Sequence, residues 1–173
     1  MSGGYRRNPL PRSPAIGRLV VTRDVLSATS VALQSAGSKS PPHEGLVFWL
    51  GRECEGDVLV LSAVHPTCAS GPRFVTADEK SIGEVARRAR ANRLGIVAQV
   101  HSHGGEVTEH SDGDDELVLM PFEGMYSVVI GRYGFGSALP DEGLGLHQWQ
   151  SGRWVSVTDE RTAFIVVDSA IRL

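Results

Sequence analysis

Gly95-Ile-Val-Ala-Gln-Val-His101-Ser-His103, followed after seven residues by Ser111-Asp-Gly-Asp114, is the stretch on which the reading of this chain turns. The apolar run ending at Val100 reads as a strand that delivers two histidines at its end. Alternate side chains of an extended segment share a face, so His101 and His103 point at one spot while Ser102 points away. Zinc accepts imidazole nitrogen and carboxylate oxygen, and catalytic zinc sites keep three protein ligands plus an open position for water. Asp114 supplies the third ligand in this reading. Gly104 to His110 lets the chain turn back, and Ser111 with Asp114 fits the start of a short helix facing the metal.

The segments on either side set the architecture. Ile16 to Val21 alternates loosely, as a first strand does, and Thr22 offers an N-cap to a helix at about 23–36 carrying Leu26, Thr29, Leu33 and Ala36. Gly37 and Pro41-Pro42 stop that helix and open a loop over 38–43. Two β-rich runs, Gly45–Leu50 and Asp57–Val64, predict a hairpin with 51–56 as its connection. Thr76 with Glu79 matches a capping box, and Ile82, Val85, Ala86 and Ala89 recur at helical spacing, which predicts a second helix over 77–92. Met125–Gly131, Gly143–Trp149 and Trp154–Val157 supply further strands. Three prolines and two adjacent arginines make residues 1–14 a flexible tail, leaving 15–173 as one domain.

Composition narrows the function classes. The 173 residues suit a single core, and 41% hydrophobic with 21% charged residues is ordinary globular usage. A net charge of −3 and a pI near 6.1 leave no basic footprint for nucleic acid. The longest apolar runs fall far short of the ~20 residues a membrane helix needs, and the N-terminus lacks the apolar middle of a secretion signal. The cytoplasm is therefore the expected compartment. Cys54 and Cys68 form no CxxC pair and no disulfide scaffold. Trp49, Trp149 and Trp154 are expected to pack the core or its edge. Of the other histidines none is needed as a ligand, although His110 is placed to border the substrate groove.

A metal site becomes a hydrolase only with a proton shuttle, and on composition Glu44, Glu53, Glu55, Glu106 and Glu109 are all eligible. The pattern Glu44, His101-x-His103, Ser111 and Asp114 resembles that of the JAMM metalloprotease family, also called MPN+ or JAB domains. The order of elements is similar too, over about residues 16–157. The resemblance implies an α+β fold: a mostly antiparallel MPN/JAB-type sheet flanked by two main helices, in a sandwich like that of cytidine deaminase. It also implies Zn2+ on His101, His103 and Asp114, Glu44 as general base, and Ser111 assisting the tetrahedral intermediate. The implied activity is that of a zinc-dependent peptidase or isopeptidase cutting after the C-terminal tail of a ubiquitin-like protein. That protein or its conjugate is the expected partner, joined by an activating or conjugating enzyme encoded nearby.

Two departures stand out. Relatives usually place proline after the second histidine, where this chain has Gly104-Gly105. Only ten residues separate Asp114 from Met125, too few for the large inserted loop of members specialised for ubiquitin chains, so a compact prokaryotic-type member is expected. Two other readings stay open: a noncatalytic MPN scaffold with a structural metal, and a relative of the RadC group with DNA-related roles. Intact ligands argue against the first and the acidic pI against the second.

Overall fold

Leu46-Val-Phe-Trp-Leu50 is apolar at every position rather than at alternate ones, because both faces of the strand it forms are covered. The computed structural model describes residues 8–117, 121–140 and 142–169. Its strands are β1 (Arg12–Ser13), β2 (Leu19–Thr22), β3 (Leu46–Cys54), β4 (Asp57–Val64), β5 (Ala69–Gly71), β6 (Phe74–Thr76), β7 (Gly95–Ser102), β8 (Tyr126–Ile130), β9 (Gly145–Gln150), β10 (Arg153–Val157) and β11 (Phe164–Val167). The α-helices are α1 (Arg23–Gly37), α2 (Glu79–Ala91) and the single turn α3 (Glu160–Ala163). Nine strands form one sheet in the order β1-β10-β9-β8-β7-β3-β4-β2-β11, and β5 with β6 makes a separate hairpin.

Helix α1 covers one face. Its Val25, Leu26 and Leu33 meet Val47 and Trp49 of β3 together with Val100, Tyr126 and Val128, and Trp49 Nε1 donates to the buried Thr29 hydroxyl at 2.8 Å. Helix α2 covers the other, where Val85 and Ala89 meet Leu46, Phe48 and Leu50. Fully burying each large side chain in such a cluster stabilises the fold by ~1.5–3 kcal/mol, so two helices suffice to close the sandwich.

The mixed α+β class expected from the sequence is the one observed. The long central pairings β3–β4 and β3–β7 are antiparallel, but β1–β10, β7–β8, β4–β2 and β2–β11 are parallel, so the sheet is more evenly mixed than expected. Thr22 caps α1 as predicted, its side chain accepting from Val25 N.

Three expectations need correction. Helix α2 is capped by Asp78, whose Oδ1 accepts from Ser81 N at 2.8 Å; Thr76 is paired with Ala69 in β6, so no Thr76–Glu79 box forms. The β3–β4 connection is not 51–56 but the two residues Glu55 and Gly56, both at positive φ. Gly51 stays in the strand at a register shift, where a Cβ would fall 1.9 Å from Leu59 O. Finally, part of the expected tail is docked. β1 pairs with Ser156 and Val157, and Gln150 Nε2 donates to Pro14 O. Extended, proline-flanked residues suit a sheet edge, where a missing N–H costs nothing. Residues 1–7 of that tail lie outside the described residues.

Among the described residues no helix is long and apolar enough to cross a membrane.

Candidate metal centre

Strand β7 alternates as its sequence predicts. His101, opposite Leu46 of β3, and His103 share the α2 side of the sheet, whereas the Ser102 hydroxyl accepts a hydrogen bond from Gly45 N at 2.9 Å. The chain then loops back, and a single 3-10 turn at Asp114–Glu116 brings the Asp114 carboxylate to the histidines. His101, His103 and Asp114 are all buried, and their ligand atoms lie within 4.8 Å of one another.

The donors are placed to share a positive charge. His103 Nδ1 sits 2.9 Å from Val107 O, and a carbonyl only accepts, so Nδ1 carries a proton and fixes the ring. His103 Nε2 then lies 3.0 Å from Asp114 Oδ2 and 3.3 Å from His101 Nε2, while Asp114 Oδ1 is 3.3 Å from His101 Nε2. Burial alone would raise the Asp114 carboxyl, but the two imidazoles outweigh it and hold the group well below the usual carboxylate range. Asp114 is therefore ionised, and two imidazole nitrogens crowd it. A cation satisfies all three, and two imidazoles with one carboxylate are a zinc donor set.

Glu44 precedes β3 and reaches the same place. Its main-chain N donates to Gly71 O at 2.9 Å, and its Oε1 accepts from Gly104 N at 3.3 Å. Burial pushes its carboxyl up from 4.5 to about 7, against the opposing pull of His103 and the Gly104 N–H. A carboxyl titrating there suits taking and returning a proton near neutral pH. Ser111 and Asp114 bond reciprocally: Ser111 N donates to Asp114 Oδ2 at 2.6 Å, and Asp114 N to Ser111 Oγ at 3.3 Å. Ser111 thus orients the third ligand as well as facing a cleft of about 110 Å³. Glu44, His103 and Asp114 line that cleft together with Arg73 and the β6 residues Phe74, Val75 and Thr76. All five residues singled out in the sequence are brought together; Glu53, Glu55, Glu106 and Glu109 are not among those lining the cleft.

His110 is placed differently from expectation. It does not border the groove but turns inward, fully buried, with Nδ1 3.2 Å from Asp115 Oδ1 and Nε2 2.7 Å from Ser127 Oγ. Its ring lies 5.8 Å from that of His101 and 4.3 Å from that of His147. Burial pushes His147 well below its usual range, so it is a neutral imidazole. This polar backing was legible only as Gln99, His101, Ser127 and His147 interrupting apolar strands.

The fold has solved counterparts at low identity. A Desulfitobacterium hafniense protein is 14% identical with a TM-score of 0.61, over 87% of this chain and 94% of that one. A protein from Salinibacter ruber is 19% identical with a TM-score of 0.57, over 88% and 94%. None of the curated proteins compared matches the chain. The family model for prokaryotic homologs of the JAB domain matches residues 30–139, more than half the chain and all five residues of the centre. With that match and this geometry in hand, the chain belongs to the prokaryotic JAB-domain family.

Proposed function

We propose that this chain is a zinc-dependent peptidase or isopeptidase that hydrolyses the bond after the C-terminal tail of a ubiquitin-like protein. The observation that carries the hydrolase reading is the convergence of the His101 and His103 imidazoles on the Asp114 carboxylate, with His103 and Asp114 sharing a cleft with Glu44. The substrate class rests on membership of the JAB family. Bound zinc polarises a carbonyl and acidifies water, a chemistry that needs no nucleophilic side chain.

His101, His103 and Asp114 hold the ion. Glu44, held at the cleft with its Oε1 accepting from Gly104 N, takes the proton of the attacking water and returns it to the leaving amine. Ser111 Oγ donates to the oxygen that becomes negative as the carbonyl carbon turns tetrahedral. The cleft is narrow, which favours an extended tail over a folded segment.

The test is incubation with fusions of ubiquitin-like proteins to a reporter peptide, with and without a chelator. Cleavage at the end of the ubiquitin-like tail that stops on chelation and returns with zinc supports the reading. Cleavage indifferent to the chelator contradicts it.

A further inference from the structure

The glycine that stands after His103, where relatives usually have proline, is tied to Tyr133. Arg132 and Tyr133 both adopt left-handed backbone, at φ 57° and 56°. Two consecutive non-glycine residues in that region are uncommon, and such backbone persists where surrounding contacts over-determine it. Here the contacts are specific. Arg132 N donates to Gly105 O and Tyr133 N to His103 O, both at 2.7 Å, so the turn grips the chain on either side of Gly104.

The turn also aims the Tyr133 ring at Gly104. A Cβ at position 104 would lie 2.6 Å from Tyr133 Oη and 2.7 Å from Cζ, so the phenol occupies the place of a side chain. Tyr133 Oη donates onward to Pro72 O at 3.1 Å, at the tip of the β5–β6 hairpin. The neighbouring residue of that tip, Gly71, accepts from Glu44 N. The Gly104 N–H donates to Glu44 Oε1. Contacts therefore run in a closed circuit from the Glu44 main chain through Gly71, Pro72, Tyr133 and Gly104 back to the Glu44 carboxylate. Proline at 104 would break this circuit, since it has no N–H and its ring would meet the phenol.

We propose that Tyr133 is a positioning residue for Glu44, acting through Gly104 and the β5–β6 hairpin tip. The glycine is then not a loosened loop but the partner of the tyrosine ring. The proposal deepens the hydrolase reading and rests on it for its kinetic consequence, but its structural core does not require activity.

The experiment has two readouts on the full chain. The first is hydrogen exchange of the residue 104 amide by NMR in Tyr133→Phe, Tyr133→Ala, Gly104→Ala and the Gly104→Ala/Tyr133→Ala double variant. The second is kcat and KM on a ubiquitin-like fusion. Tyr133→Ala is expected to speed exchange at Gly104 by about ten-fold or more while the β7 amides stay protected. It is also expected to lower kcat by about ten-fold with KM little changed, as a displaced proton shuttle requires. Tyr133→Phe keeps the ring against Gly104 but removes the Oη bond to Pro72, so it should show part of each effect; wild-type values of both readouts in Tyr133→Phe would overturn the link through the hairpin tip, which keeps the test decisive if Tyr133→Ala folds poorly. Gly104→Ala should be costly beside Tyr133 and nearly neutral beside Ala at 133. Unchanged exchange at Gly104 in Tyr133→Ala, or an equal cost of Gly104→Ala in both backgrounds, overturns the proposal. A wild-type chain that cleaves no fusion counts against the hydrolase reading alone, because the exchange result still decides the role of Tyr133.

Discussion

The two faces of the central sheet are built on different terms. Under α1, Leu19, Val21, Leu33, Val47, Trp49, Val100 and Val128 form a continuous apolar cluster, and the polar groups beside it are hydrogen-bonded: Thr29 to Trp49, and Gln148 to the Ile16 main chain. The opposite face starts the same way under α2, with Leu46, Phe48 and Leu50, and then changes character along β7 to Gln99, His101 and His103. The change occurs across one strand pairing, since Gln99 and His101 lie opposite Phe48 and Leu46 of the α2 cluster. Of the described residues, the buried side-chain atoms without a partner are Gln99 Oε1, His101 Nδ1, His147 Nδ1 and Trp154 Nε1. None of them belongs to the α1 cluster. One face is built for stability, and the other gives up part of its apolar cover to hold a buried polar centre.

Substitutions can break this contrast. The largest effect is expected from His101→Ala or Asp114→Ala, which should reduce zinc content from about one per chain to near zero and abolish hydrolysis, read by elemental analysis and by the fusion assay. Next comes Glu44→Gln, expected to cut kcat by about 10²–10⁴ while zinc content is retained. On the apolar face, Leu33→Ala should destabilise the domain by about 2–5 kcal/mol in urea titration, with zinc affinity of the folded protein unchanged. Coupled loss of metal there would show that the two faces are not separable.

A smaller and pH-dependent effect comes from Glu44. Its carboxyl is raised on folding from 4.5 to about 7, chiefly by burial. The neutral form is the one burial tolerates. In the metal-free protein its contribution is therefore fully present below pH 4.5, declines as pH rises, and is lost once pH passes about 7. Glu44→Gln should flatten that decline, measured as the difference in unfolding free energy between the two proteins at pH 4 and pH 8. The smallest change is Thr29→Val, which leaves Trp49 Nε1 buried without an acceptor and should cost about 1–3 kcal/mol.

The sequence made β7, both main helices, the strands 57–64 and 126–130 and the spacing of His101, His103, Ser111 and Asp114 legible, because each rests on a local pattern: a periodicity, a cap or a fixed spacing; Glu44 rests on no such pattern and is singled out by the family resemblance alone. It did not show β1, the β5–β6 hairpin or β11. These strands have two to four residues, too few for a period, and β1 and β11 are held by partners far away in the chain, as Phe164 is paired with Leu19. Gly51 carries a turn signal in the sequence but serves close approach of two backbones in the fold. Thr76 and Asp78 are both good N-cap residue types, and only the pairing of Thr76 in β6 decides for Asp78. His110 and Tyr133 carried no sequence signal, since their partners are assembled by the fold.

Equal zinc loading of wild type and Glu44→Gln, followed by a timed assay on a ubiquitin-like fusion, tests the central claim most directly. One zinc in each protein with cleavage only by wild type is the predicted result. Cleavage by Glu44→Gln at the wild-type rate, or by wild type stripped of zinc, would contradict it.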